Sequence, residues 1–190
     1  VPRSTTSTTA RPSRAGSSTR PPSSRRRSQT SIGLWVRAGP GIPDEYYRDR
    51  EATARMHRGE WYTVADVAYL DADSFYYICD RKRDMIISAG VNIYPAEIED
   101  VLHRHPKVLD AAVFGVPDEE WGERVHAALH VRPGETLTAD EITAFCRLHM
   151  AGYKVPREVS FHEVFPRDAA GKLLKRQLRE PYWAGRASRV

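Results

Sequence analysis

The sequence is poor in several features that would place it in other classes of protein. It has two cysteines in 190 residues, Cys79 and Cys146. Neither has Cys-x-x-Cys or Cys/His ligand spacing. A zinc site and a disulfide framework are therefore not expected, and two ordinary thiols in a reducing cytoplasm are. No apolar run has the length of a membrane-spanning helix. The first 33 residues lack the apolar stretch of a secretory signal. They also contain no Asp, Glu or Lys, yet hold seven arginines (3, 11, 14, 20, 25, 26 and 27). Without those seven, 22 basic residues face 25 acidic ones, a net charge of −3, so the overall +4 comes from the leader. A basic nucleic-acid surface on the rest of the chain is not supported.

Residues 1–33 are dominated by Ser, Thr, Arg and Pro. Such a segment cannot bury enough apolar surface to offset its ordering entropy, so a disordered tail is expected. Arg25, Arg26 and Arg27 could form an arm for nucleic acid or an anionic surface. The plainer reading is a tail without function, from a misassigned start or a change of reading frame.

From Leu34 the composition changes. Val67–Leu70 and Phe75–Cys79 read as two strands joined by the turn-rich Asp71-Ala72-Asp73-Ser74. Met85–Ile87 is a short apolar run. Pro95 opens a helix: proline suits the first helical position, and Glu97, Glu99 and Asp100 suit the positive end of the helix dipole. Ala111–Val116 reads as a strand ended by Pro117-Asp118. Val125, Ala127, Leu129 and Val131 alternate with His126, Ala128 and His130, which predicts a half-buried strand. Thr138 and Glu141 form a capping box for a helix that Gly152 ends. Another strand is expected around Val159 and Phe161, and a short helix over Leu173–Arg179. The alternation predicts a compact α+β domain from about residue 81 to 180, with short mixed sheets flanked by helices.

Three stretches carry a resemblance. The first is Gly59-Glu60-Trp61-Tyr62-Thr63-Val64-Ala65-Asp66. The second runs from Asp80-Arg81-Lys82-Arg83-Asp84-Met85-Ile86-Ile87-Ser88-Ala89-Gly90 through Val91-Asn92-Ile93-Tyr94-Pro95-Ala96-Glu97-Ile98-Glu99. The third is Pro166-Arg167-Asp168-Ala169-Ala170-Gly171-Lys172. In order and spacing they resemble the adenylate-forming, AMP-binding superfamily of acyl-CoA synthetases, peptide-synthetase adenylation domains and luciferases. The likeness runs from about Leu34 to the C-terminus. It implies that residues 34–80 are the end of a large N-terminal domain and residues 81–190 a mobile C-terminal lid.

The resemblance also implies roles. Lys172 matches the lysine of acyl-adenylate formation. A cation suits that step, because two anions meet and charge builds on the phosphorus oxygens. Asp66 matches the aspartate that accepts both ribose hydroxyls of ATP, and Arg81 an arginine that contacts the ribose. Arg83 falls at the hinge. Ser88, Ala89 and Gly90 match the loop that lines the pantetheine tunnel, where glycine lets the backbone approach the thiol arm. Their plain reading is an ordinary turn between strand and helix. Trp121 and Gly122 resemble a structural loop of the same family. Val64, Ala65, Ala68 and Ser74 depart from its usual threonine and glycines, and Ala65 is awkward if its φ is positive.

His103, His105, His126 and His130 do not complete a metal-ligand set, so solvated histidines are expected. The substrates implied are ATP, CoA and a carboxylic acid, with a leaning toward fatty or related lipid acids. Mg2+ is expected only with the large domain, whose phosphate-gripping loop has no counterpart here. The two-step reaction forms acyl-AMP and pyrophosphate, then thioester and AMP. The alternatives are an adenylation domain serving a carrier protein, a non-catalytic remnant that binds a partner, and the arginine-arm nucleic-acid binder. The chain ends eighteen residues after Lys172, which favours a free-standing ligase over a carrier-linked domain. The expectation is a ligase fragment that is inactive alone.

Overall fold

The structure is a computed structural model that describes residues 32–37, 39, 41, 44–71 and 75–186. The Ser/Thr/Arg/Pro-rich segment lies outside these residues apart from Ile32 and Gly33. So do Ala72, Asp73 and Ser74 of the expected turn. Ile32–Gly33 form a strand, β1, although the sequence reading places both in the tail.

Residues 32–81 build two small sheets. β2 (Val36–Arg37), helix α1 (Arg50–Met56), β3 (His57–Arg58) and β4 (Trp61–Tyr62) come first. Asp49 caps α1 by accepting the Ala52 N–H at 2.8 Å. β5 (Asp66–Leu70) then pairs with β6 (Tyr76–Arg81), as expected for two strand-like runs joined by a turn-rich segment. The sheet orders are β2-β4-β3 and β1-β5-β6.

The rest of the chain forms one mixed sheet with helices on both faces. β7 (Ile86–Ser88), β8 (Val91–Ile93), α2 (Pro95–Leu102), β9 (Val108–Asp118), β10 (Gly122–Val131), α3 (Ala139–His149), β11 (Glu158–Phe161) and α4 (Lys175–Trp183) follow in order. β10 is central. It pairs antiparallel with β9 along its length, parallel with β11, and at Gly122 with Ser88 of β7.

Two cores follow from this placement. Val113, Val125, Ala127 and Leu129 pack with Ile98 and Leu102 of α2 and Ile142 and Cys146 of α3. Ala112, Phe114, Val116 and Ala128 pack on the other face with Phe165 and with Leu178 of α4. Cys146 is buried in the first core, which pushes its thiol up to about 11; both cysteines are free.

Four expectations are corrected. β10 is buried on both faces over Val125–Leu129, not half-buried, because α4 covers the side that carries His126 and Ala128. β9 continues through Pro117 to Asp118. Among the described residues it pairs only with β10, so it is an edge strand, where a missing N–H is tolerated. α3 ends at His149, and Gly152 instead starts a 3-10 turn. The capping box of Thr138 and Glu141 forms as expected. The last helix is shifted to Lys175–Trp183. Among the described residues, no helix is long and apolar enough to cross a membrane.

Candidate functional site

Asp66 and Arg81 are direct partners across the β5–β6 ladder. The Arg81 Nε lies 3.9 Å from the Asp66 Oδ1. Both side chains keep a solvent-facing edge, so an acceptor and a cation sit together at one sheet end. The residue before them is strained. Ala65 has φ +63°, in the left-handed region that favours glycine. It is held there from both sides: its N–H donates to the Thr63 Oγ1 at 3.0 Å, and its carbonyl accepts the Lys82 N–H at 2.8 Å. The buried Thr63 hydroxyl donates to the Leu34 carbonyl at 2.6 Å.

Lys82, Arg83 and Asp84 form the turn out of β6, closed by the Asp84 N–H on the Arg81 carbonyl at 3.0 Å. Arg83 is exposed, with one loose ion pair to Asp84 at 3.9 Å. Such a residue can change φ and ψ without losing buried contacts. The Asp80 carboxylate crosses this turn. It accepts the Arg81 N–H at 2.8 Å and the Ala96 N–H at 3.0 Å.

Ser88, Ala89 and Gly90 join β7 to β8, so they form a turn between two strands, not between strand and helix. Ala89 has φ +47° and Gly90 φ +76°, the double positive φ of a type I′ hairpin turn. The turn is held by the Ala89 N–H on the Trp121 carbonyl at 2.9 Å. The Trp121 ring is itself covered by the Arg157 guanidinium at 3.4 Å. A Cβ added at Gly90 would meet no atom within 4 Å, so this backbone edge is open.

Lys172 is exposed and sits in a tight hairpin. The Asp168 Oδ1 accepts the N–H groups of Ala170 and Lys172, each at 2.9 Å. The Asp168 N–H donates to the Lys172 carbonyl, also at 2.9 Å, and Gly171 supplies φ +81°. The Lys172 ammonium makes no hydrogen bond or ion pair among the described residues. The loop is tied to the domain by Arg167, whose Nη1 donates to the Gly171 carbonyl at 2.7 Å and whose Nη2 pairs closely with Asp110 of β9. Just beyond, Lys175 pairs with Glu99 of α2 at 2.6 Å. Burial pushes the Glu99 carboxyl above its ordinary range, and Lys175 opposes that shift.

The structure therefore brings Asp66, Arg81 and Arg83 together and sets the Ser88–Gly90 turn and the Lys172 loop among the elements that follow β6. The contacts of Asp80, Arg167 and Asp110 escaped the sequence reading. Their partners are distant in sequence or are backbone groups, which no pattern of side chains displays.

The histidines need a correction. His126 is not solvated. It is fully buried, stacked on Phe114 at 5.0 Å, with its Nε2 2.9 Å from the Ser160 Oγ. Burial holds its pKa below the ordinary value. His103 lies 3.9 Å from Asp110, and His105 packs edge-on against Phe145. Among the described residues, no group of three or more His, Cys, Asp or Glu could hold a metal ion.

Comparison with known proteins bears on this arrangement. Residues 97–172 match the family described as AMP-binding enzyme C-terminal domain. The 2-succinylbenzoate–CoA ligase of Geobacillus kaustophilus is 45% identical over 147 residues, 77% of this chain and 30% of that protein. The o-succinylbenzoate CoA synthetase of Bacillus subtilis, solved with its acyl-adenylate intermediate, superposes with a TM-score of 0.72 at 38% identity, covering 78% of this chain and 30% of that one. The amide bond synthetase McbA of Marinactinospora thermotolerans gives a TM-score of 0.71 at 37% identity, covering 80% and 31%. The chain thus spans about 30% of the length of the curated relatives it matches. Over residues 97–172 it carries the C-terminal domain of AMP-binding enzymes, and over most of its length it is similar to adenylate-forming CoA ligases.

Proposed function

We propose that this chain is the C-terminal part, with the lid, of an ATP-dependent carboxylic acid–CoA ligase, acting in the cytoplasm with a large domain that binds the acid and the nucleotide. The observation that carries the reading is the Lys172 loop, an exposed ammonium with no partner among the described residues, on a hydrogen-bonded hairpin. An ammonium brought between a carboxylate and the α-phosphate of ATP stabilises the charge that develops as the two anions join. Asp66 is proposed to accept the ribose hydroxyls, and Arg81 beside it to contact the same sugar. Residues 34–80 then belong to the end of the large domain and residues 81–190 to the lid, with Arg83 as the hinge.

The open edge at Gly90 supports a second use of the lid. Turned about Arg83, the domain would present Ser88, Ala89 and Gly90 to the pantetheine arm of CoA, and thioester formation would follow adenylation. A Mg2+ ion would belong with the nucleotide in the large domain. The acid is selected there too. The reported ligases are named for succinylbenzoate, so a lipid acid gains no support from them.

The test uses the lid joined to a large domain of the family, with each half-reaction measured alone. Lys172→Ala is expected to slow acyl-adenylate formation by about 100-fold or more, the scale of a lost transition-state charge contact, and to spare thioester formation from supplied acyl-AMP. Gly90→Trp is expected to do the reverse. Equal damage to both steps by Lys172→Ala would overturn the two-faced lid. The 190-residue chain alone is expected to give no ATP–pyrophosphate exchange.

A further inference from the structure

The hydrogen bonds of Asp168 give the Lys172 hairpin its internal shape, but they do not fix it to the domain: all of them run between residues 168 and 172. A loop can be rigid and still tilt as a unit. Tilt matters at this position, because the reacting group sits at the far end of a long side chain. What opposes tilt is a polar strut. The Arg167 guanidinium reaches in two directions, to the Gly171 carbonyl at 2.7 Å and to the Asp110 carboxylate. Asp110 is anchored in turn, since its Oδ1 accepts the Ala111 N–H at 2.9 Å on β9. Arg167 thus joins the peptide immediately before Lys172 to the central hairpin of the sheet.

We infer that Arg167, seated on Asp110, is a positioning residue for the acyl-adenylate step, holding the Lys172 ammonium at the angle the closed lid requires. The inference rests on the role proposed for Lys172. The chemistry asks for arginine. One planar group must serve a neutral carbonyl and a carboxylate at once, through separate N–H groups, and a lysine ammonium lacks that fork. Arg167 itself would touch neither acid nor ATP. A displacement of about 1 Å at a reacting group can cost on the order of 100-fold in rate, so loss of the strut should read as a rate effect.

The experiment compares Arg167→Ala, Arg167→Lys, Asp110→Asn and Lys172→Ala in the lid joined to a large domain, with both half-reactions measured. Arg167→Ala is expected to slow adenylation by about 10- to 100-fold. The KM for the acid and the rate of thioester formation from supplied acyl-AMP should stay within about twofold. Arg167→Lys should restore little, whereas added methylguanidinium should restore part of the Arg167→Ala rate and none of the Lys172→Ala rate. Asp110→Asn should fall on the same step, and its combination with Arg167→Ala should add nothing further. In this chain by itself, amide exchange at Gly171 and Lys172 should quicken in Arg167→Ala. If Lys172→Ala slows adenylation and Arg167→Ala does not, the strut is refuted and the lid reading stands. If Lys172→Ala leaves adenylation untouched, both fall. If Arg167→Ala damages both half-reactions alike, its role is general stability and the inference is wrong.

Discussion

The carboxylate of Asp80 accepts the backbone N–H of Ala96 at 3.0 Å, linking the strand before the Arg83 turn to the first turn of the helix after it. α2 needs this partner. It begins at Tyr94-Pro95, and Tyr94 offers no side-chain cap. Asp80 therefore caps the helix from a distance and places negative charge at its positive end. Because Arg83 lies between the two residues, a full turn about it would part them. Asp80→Ala is expected to lower stability by about 1 kcal/mol, the usual scale of a lost cap, and to speed amide exchange at Ala96. Urea denaturation and exchange rates provide the check. Unchanged protection at Ala96 would show that the bond is not held in solution.

Gly115 faces the opposite constraint. A Cβ there would press against a carboxylate oxygen of Glu123, with the Glu123 Cδ at 3.0 Å and the Ile86 Cγ2 at 3.2 Å. Glu123 is buried and accepts the Ile87 N–H at 3.2 Å, bracing the strand that leads into the Ser88 turn. Gly115→Ala is expected to cost about 1–3 kcal/mol through overpacking. A melting temperature equal to that of the parent would contradict this packing.

His126 is expected to make stability depend on pH. Its ring is buried, and burial lowers its pKa from 6.5, with Glu158 opposing the shift and His162 and Arg124 adding to it. Below about pH 6.5 the unfolded chain binds a proton that the native ring refuses. The His126 contribution to stability is therefore full above that pH and falls as the pH drops toward the lowered native value. Unfolding free energy is expected to decline between pH 7.5 and 5.5. His126→Phe, which keeps a ring against Phe114, should flatten that slope. An identical slope in the variant would assign the pH dependence elsewhere.

Ala65 offers a test in the stabilising direction. At φ +63° an alanine costs about 1–2 kcal/mol that glycine does not. Glycine gives back up to about 1 kcal/mol through the freedom of the unfolded chain. Ala65→Gly is expected to be neutral or to stabilise by up to about 1 kcal/mol in chemical denaturation. A clear loss of stability would mean that Ala65 is not held in the left-handed region.

The local elements were legible where a single segment contains its own cause. Pro95 with three nearby acids starts α2, Thr138 with Glu141 caps α3, and two strand-like runs around the turn-rich residues 71–74 give the β5–β6 pair. The motif residues were legible because their chemistry lies in side-chain identity and spacing. Burial of β10 was not legible. An alternating strand signals one wet face only until another element covers it, and α4, some fifty residues later in the chain, does so. The continuation of β9 through Pro117 depends in the same way on its being an edge strand.

The sequence by itself determined the family resemblance, most of the elements from β5 onward and the position of Lys172 in its motif. Only the tertiary structure decided what holds its loop. The strut from Gly171 through Arg167 to Asp110, and the cap from Asp80 to Ala96, join groups 57 and 16 residues apart in the chain. Their energies come from directional contacts to carboxylates and backbone groups, which form only when the sheet has brought those groups within about 3 Å.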